Sequence, residues 1–233
     1  MKLNKQRLSN QVYDILKNMI VNHRFSPGAR INIEQIAKEV GASRTPVWEA
    51  VHRLMQEGLI ENIPNRGVFM AVLTPKAAIE MYTVRQVLEG LAARLAAQNA
   101  NEKAIKKMKA YIDKQAKAVE KEDLVAYSKL DFEFHAVIYE LSGNQTLQEM
   151  LETIKNKMRP IDMLINPILP ELYRHHIRIL EAIKNRDSNE AERAFLEHNQ
   201  RMIDQIKTSA ENENWKEVVN LKNKIYKNQG GIR

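Results

Sequence analysis

Cysteine is missing from all 233 residues, which excludes disulfides, thiolate zinc sites and thiol nucleophiles from the start. No apolar run approaches the roughly 20 residues that cross a bilayer, so no membrane partner is expected. The first residues, MKLNKQRLSNQ, are basic but lack the apolar segment and cleavage site of an export signal, and a cytoplasmic location is the expectation. Nor is there an internal repeat, because the helical patterns beyond residue 78 differ from one another. At 44% hydrophobic and 28% charged residues, the composition is that of an ordinary globular chain, long enough for one large or two modest domains.

What is present is unevenly distributed. Residues 1 to 77 hold 11 Lys and Arg against 6 Asp and Glu, so they carry +5 of the total +7; the remaining two thirds hold 25 against 23. A basic first third beside a nearly neutral remainder points to a polyanionic partner for one part only, with nucleic acid foremost.

The same third has a matching pattern. Leu8, Val12, Ile15, Met19 and Ile20 recur at helical spacing, and Pro27 and Gly28 break that helix. Asn32 with Gln35 reads as a capping box for IEQIAKEV, closed by Gly41. A third helix begins near Ser43 or Thr45 as cap, takes Pro46 in its first turn and ends at Gly58. LIENIPNRGVFMAVL then alternates as two short strands around a turn at Pro64 to Gly67. Helix, helix, turn, helix and hairpin make a winged helix-turn-helix, whose third helix enters the major groove. Arg44 suits a bidentate contact to guanine, Thr45, Arg53 and Arg30 suit phosphates, and Arg66 with Gly67 suits a wing at the minor groove. The alternatives are ordinary: Arg53 can pair with Glu49, and Trp48 can pack on a neighbour instead of reading a thymine methyl.

The combination PGARI, IAKEVGASRTPVWEAVHRLMQEGLI and PNRGVFM resembles the DNA-binding domain of GntR-family bacterial transcription regulators, over nearly all of residues 8 to 72. The resemblance implies Arg30, Ser43, Arg44, Thr45, Arg53, Arg66 and Gly67 as DNA-contacting residues. Trp48 stands where the family usually has a DNA-contacting arginine, and it is kept in the candidate set.

AVLTPKA leads out of the hairpin, so the expected domains are 1 to 74, binding DNA, and 75 to 233, all-helical. Amphipathic helices are predicted at about 76 to 99, 102 to 121, 123 to 142, 144 to 165, 170 to 186 and 188 to 211, forming an antiparallel bundle. Pro160 should kink or end one of them, and Asp187 to Glu190 reads as a capping box. Trp215, Val218, Val219, Leu221 and Ile225 suggest a further helix. The fold class is therefore mainly α, with a small hairpin wing on the first domain.

Asp131 and His135 lie four apart and share a helix face. His176 has apolar neighbours three and seven residues on and should look inward; His198 lies one helix later. Together they are a candidate set for a borderline metal, zinc first and nickel or iron as alternatives, although hydrogen-bonded core histidines give the same pattern. His175 and His23 read as solvated surface residues.

VRQVLEGLAARLAA, DFEFHAVI and HHIRILEAIKNRDSNEAERAFLEHNQRM resemble the FCD effector-binding domain of the FadR-like GntR branch, over about residues 78 to 208. In many members an Asp and three His hold a divalent metal, and small organic acids bind in the same cavity. The resemblance thus implies Asp131, His135, His176 and His198 as ligands. Arg85 is a candidate contact for an effector carboxylate, or else an ion-pair partner of Glu89. The expected protein is a homodimeric repressor on a pseudo-palindromic operator, released by a small carboxylate metabolite. A helical metalloenzyme fused to a DNA-binding module, and a bundle that only dimerises, are the competing readings.

Overall fold

The computed structural model describes residues 3–22, 24–158 and 166–210, which fall into two compact units dividing between Leu73 and Thr74. His23, Pro160 with the end of the 144–165 helix, and the helix expected beyond residue 210 lie outside the described residues. Among them, no helix is long and apolar enough to cross a membrane.

The first unit is built from α1 (Leu3–Val21), β1 (Arg30–Ile31), α2 (Ile33–Glu39), α3 (Arg44–Gln56), β2 (Ile60–Ile63) and β3 (Gly67–Met70). Its core joins Val12, Leu16 and Ile20 of α1 to Val47, Ala50, Val51 and Leu54 of α3, closed underneath by Ile31, Ile60 and Val68. Asn32 caps α2 by accepting hydrogen bonds from the backbone N–H groups of Glu34 and Gln35, both at 3.1 Å. The sheet corrects the two-strand expectation. It has three antiparallel strands in the order β1, β3, β2, with Arg30 opposite Phe69 and Ile31 opposite Val68. Arg30 therefore stands on the wing sheet and not at the start of the second helix. A two-residue strand has no alternation of its own to read and exists only because β3 offers it a ladder.

The second unit contains, among the described residues, α4 (Pro75–Gln98), α5 (Glu102–Glu120), α6 (Leu124–Leu141), α7 (Gln145–Met158), α8 (Leu169–Lys184) and α9 (Ser188–Ala210), with a short 3-10 turn at Asn166–Ile168 before α8. Thr74, Asn101, Asp123 and Asp187 each accept a backbone N–H in the first turn of the helix that follows. Helices α4 and α9 run antiparallel: Gln86 donates to the Leu196 carbonyl at 2.8 Å, while Arg94, two turns on, pairs with Glu192 at 2.8 Å. Small residues permit the close approach. A Cβ on Gly90 would lie 3.3 Å from Leu196 Cδ2, and Ala93, Ala97, Ala191 and Ala194 are buried beside it in the core with Phe134, Ile138, Ile183 and Phe195.

Candidate functional site

Four side chains from three helices converge inside the second unit. Asp131 and His135 come from successive turns of α6, His176 from α8 and His198 from α9, and one ligand atom from each lies within 4.8 Å of all the others. The three imidazoles are buried; the Asp131 side chain keeps 19% of its surface.

Hydrogen bonds orient two of the three rings. His135 Nδ1 lies 2.7 Å from Glu89 Oε1. A carboxylate oxygen only accepts, so Nδ1 carries a proton, and in the neutral ring Nε2 holds the lone pair. With Gln115 oriented so that its carbonyl oxygen faces the ring, His176 Nδ1 donates to it at 2.9 Å, and again Nε2 is free. The two Nε2 atoms face each other at 3.2 Å, with Asp131 Oδ1 at 3.5 and 3.4 Å from them. His198 Nδ1 has no hydrogen-bond partner.

Burial decides the protonation. It pushes the His176 imidazolium down to about 3 against the attraction of Asp131, and it holds His198 well below its usual value, helped by His176 and His135. Burial works to raise Asp131, but Lys155 and His135 hold its carboxyl well below the carboxylate range. At neutral pH the centre thus holds an anionic carboxylate beside the uncharged His176 and His198 rings. The 3.2 Å between the two Nε2 atoms is a hydrogen-bond distance, and a shared cation would take the place of a proton there. This donor set fits a borderline divalent metal.

Glu89 of α4 organises the outer layer. Fully buried, it receives Arg85 Nη2 at 3.0 Å, the His135 ring, Asn199 Nδ2 at 2.7 Å and the Tyr139 hydroxyl. Burial opposes its charge, yet Arg85 and His135 keep it ionised. Arg85 thus makes the ion pair with Glu89 and also lines a cavity of about 30 Å³ with Ser128, Asp131, Lys155 and His198; its Nε is buried without a partner. Lys155 Nζ lies 3.0 Å from Asp131 Oδ2, and burial lowers its ammonium to about 8.

The sequence reading missed Gln115, Lys155, Tyr139 and Asn199, and took Glu89 only as a partner of Arg85. A signal was there for two of them: Gln115 continues the inward stripe of Met108 and Ile112, and Lys155 sits between Leu151 and Met158. A polar residue at a core position needs a buried partner. His175 also differs from expectation. It is partly buried, its ring is 5.9 Å from that of His198, and its Nδ1 is buried without a partner, because α9 covers that side of α8.

In the first unit, α3 turns Pro46, Val47, Ala50, Val51 and Leu54 inward. Arg44, Trp48 and His52, four apart, share the opposite side. Ser43, Arg44 and Thr45 are exposed, and Ser43 occupies the N-cap position without a side-chain cap bond. Arg44 lies 3.5 Å from Glu34, both side chains being more than two-thirds exposed, a pairing too weak to hold it. Trp48 is partly buried against the core edge, its ring 5.9 Å from His52. It lines a groove with Arg30, Asn32 and Gly67. Gly67 has φ +105°, and a Cβ there would meet the Arg30 Nε at 3.3 Å, so glycine is what lets Arg30 lie along the wing. Arg66 is partly buried on the same turn. Arg53 is held by α1 instead of by Glu49: it donates to Asn10 Oδ1 at 2.8 Å and stacks 3.7 Å from the centre of the Tyr13 ring.

The described geometry agrees with known proteins. Residues 8–70 match the family described as bacterial regulatory proteins, gntR family, and residues 80–201 match the FCD domain. A curated relative, the uncharacterized HTH-type transcriptional regulator YdhC of Bacillus subtilis (strain 168), is 32% identical over 193 residues, covering 81% of this chain and 86% of its own. The HTH-type transcriptional repressor RspR of Escherichia coli (strain K12) is 27% identical over 216 residues, 90% of this chain and 94% of its own. Among solved structures, E. coli McbR/YncC superposes with a TM-score of 0.78 at 25% identity, covering 87% of this chain and 98% of that one. Both curated relatives are named as transcription regulators, the role favoured over a metalloenzyme by the sequence.

Proposed function

Since this chain belongs to the gntR family of bacterial regulatory proteins and carries an FCD domain, we propose that it is a ligand-responsive repressor that reads a pseudo-palindromic operator as a homodimer. Its second unit binds a divalent metal, zinc foremost, and a small organic acid. The observation that carries this reading is the convergence of Asp131 with His135, His176 and His198, two of whose Nε2 atoms lie 3.2 Å apart.

Asp131, His135, His176 and His198 would hold the metal, which when bound supplies a Lewis-acid anchor for a carboxylate oxygen. The chain's own residues do the rest. Glu89 and Gln115 hold the His135 and His176 rings in the tautomer that offers Nε2. Arg85 places a guanidinium on the cavity wall, where it meets the acid.

On the DNA side, Arg44 contacts base edges from the first turn of α3, with Ser43, Thr45 and Arg53 on phosphates, Arg30, Arg66 and Gly67 at the wing, and Trp48 against a thymine methyl. Phosphate binding by Arg53 competes with its hold on Asn10 and Tyr13. The acid acts by binding the DNA-competent and incompetent arrangements with different affinity.

Elemental analysis of tag-free, dialysed protein tests the centre directly. About one metal per chain is expected, lost in Asp131→Ala/His135→Ala, with release of wild type from its operator when carboxylates are added. Absence of metal from both proteins overturns the reading and reduces the second unit to a dimerisation or metal-free ligand domain.

A further inference from the structure

We propose that the cavity beside the metal ligands accepts a compact dianion, and that Lys155 is the residue that distinguishes it from a monoanion; this rests on the reading of the same cavity as a metal and organic-acid site.

The argument begins with charge. Four buried or nearly buried side chains carry formal charge around the centre: Arg85 and Lys155 are positive, Glu89 and Asp131 negative. They cancel. A divalent cation held by Asp131 and neutral imidazoles therefore leaves two uncompensated positive charges in a buried space, where such charge is costly. One carboxylate answers half of that excess, and a second answers the rest.

Geometry assigns the second charge to Lys155. Asp131 divides its oxygens: Oδ1 faces His135 and His176, while Oδ2 faces Lys155 Nζ at 3.0 Å. Lys155 also donates to the Asp131 backbone carbonyl at 3.2 Å. An ammonium has three donors; beyond the two contacts to Asp131, Lys155 Nζ lies 5.0 Å from the centre of the Phe132 ring, on a side chain that lines the cavity. Arg85, on the same wall, keeps a buried Nε with no partner. Two cationic side chains thus border one space, and they come from α4 and α7, neither of which supplies one of the four candidate metal ligands. The cavity is small, about 30 Å³, so malonate serves as the probe because it is among the smallest dicarboxylates.

The test uses full-length protein loaded with zinc, freed of unbound metal by gel filtration, and titrated with malonate and with malonamate, which has the same shape and one charge fewer. Wild type should bind malonate on the order of tenfold more tightly. In Lys155→Met that ratio should fall toward one while zinc remains at one per chain, and Lys155→Arg should keep it, which separates loss of charge from misfolding. Equal binding of the two anions by wild type, or a malonate preference that survives in Lys155→Met, overturns the proposal. Wild type that retains no zinc, or binds neither anion, overturns the underlying reading and this one with it.

Discussion

Glu89 illustrates how much one side chain can set. Arg85, His135, Tyr139 and Asn199 all donate to it, so a single buried carboxylate orients the ring of a candidate metal ligand and fixes the cation on the cavity wall. Such a residue is nearly invisible in sequence, since a Glu four after an Arg is common on any helix. Arg44 is the opposite case, legible from its place at the start of the third helix. Arg44→Ala should cost roughly 1–3 kcal/mol of base discrimination and leave nonspecific binding nearly intact. Competition between a selected operator and random duplex at fixed salt measures it; an unchanged preference would mean that other residues read the bases.

Among the elements, α4 and α9 depend on the absence of a side chain at Gly90, whose missing Cβ is the space occupied by Leu196 and Glu192. Gly90→Val should destabilise the protein by roughly 1–3 kcal/mol through overpacking. Gly90→Ala should cost less, because its gain in helix propensity offsets the crowding. Urea melts of the two variants check the order. Helices such as these were legible because a 3.6-residue apolar period is a local signal, and capping residues such as Asn32, Thr74 and Asp187 mark their starts. Strand β1 was not legible, because its two residues owe their conformation to a partner almost forty positions away. The four side chains of the candidate metal site stood out by residue type and spacing, whereas Gln115 and Lys155 required knowing which neighbouring helix their stripe would face.

For the molecule as a whole, a metal held by residues of α6, α8 and α9 would couple three helices that are otherwise joined by packing. Removing it with a chelator should lower stability by about 2.7 kcal/mol where free metal had stood at 100 times its dissociation constant. Scanning calorimetry before and after chelation measures the loss, and Asp131→Ala/His135→Ala should melt alike in both conditions. The longest helix adds a mechanical consequence. Helix α4 runs unbroken from Pro75 to Gln98 and begins directly after the residues of the first unit, with Arg85 and Glu89 part-way along it and Gly90 beside α9. At 1.5 Å per residue its first turn lies about 22 Å from Gly90. Pivoting there by about 5° would sweep that end through about 2 Å, and Arg85 and Glu89, both before Gly90, lie on that same arm.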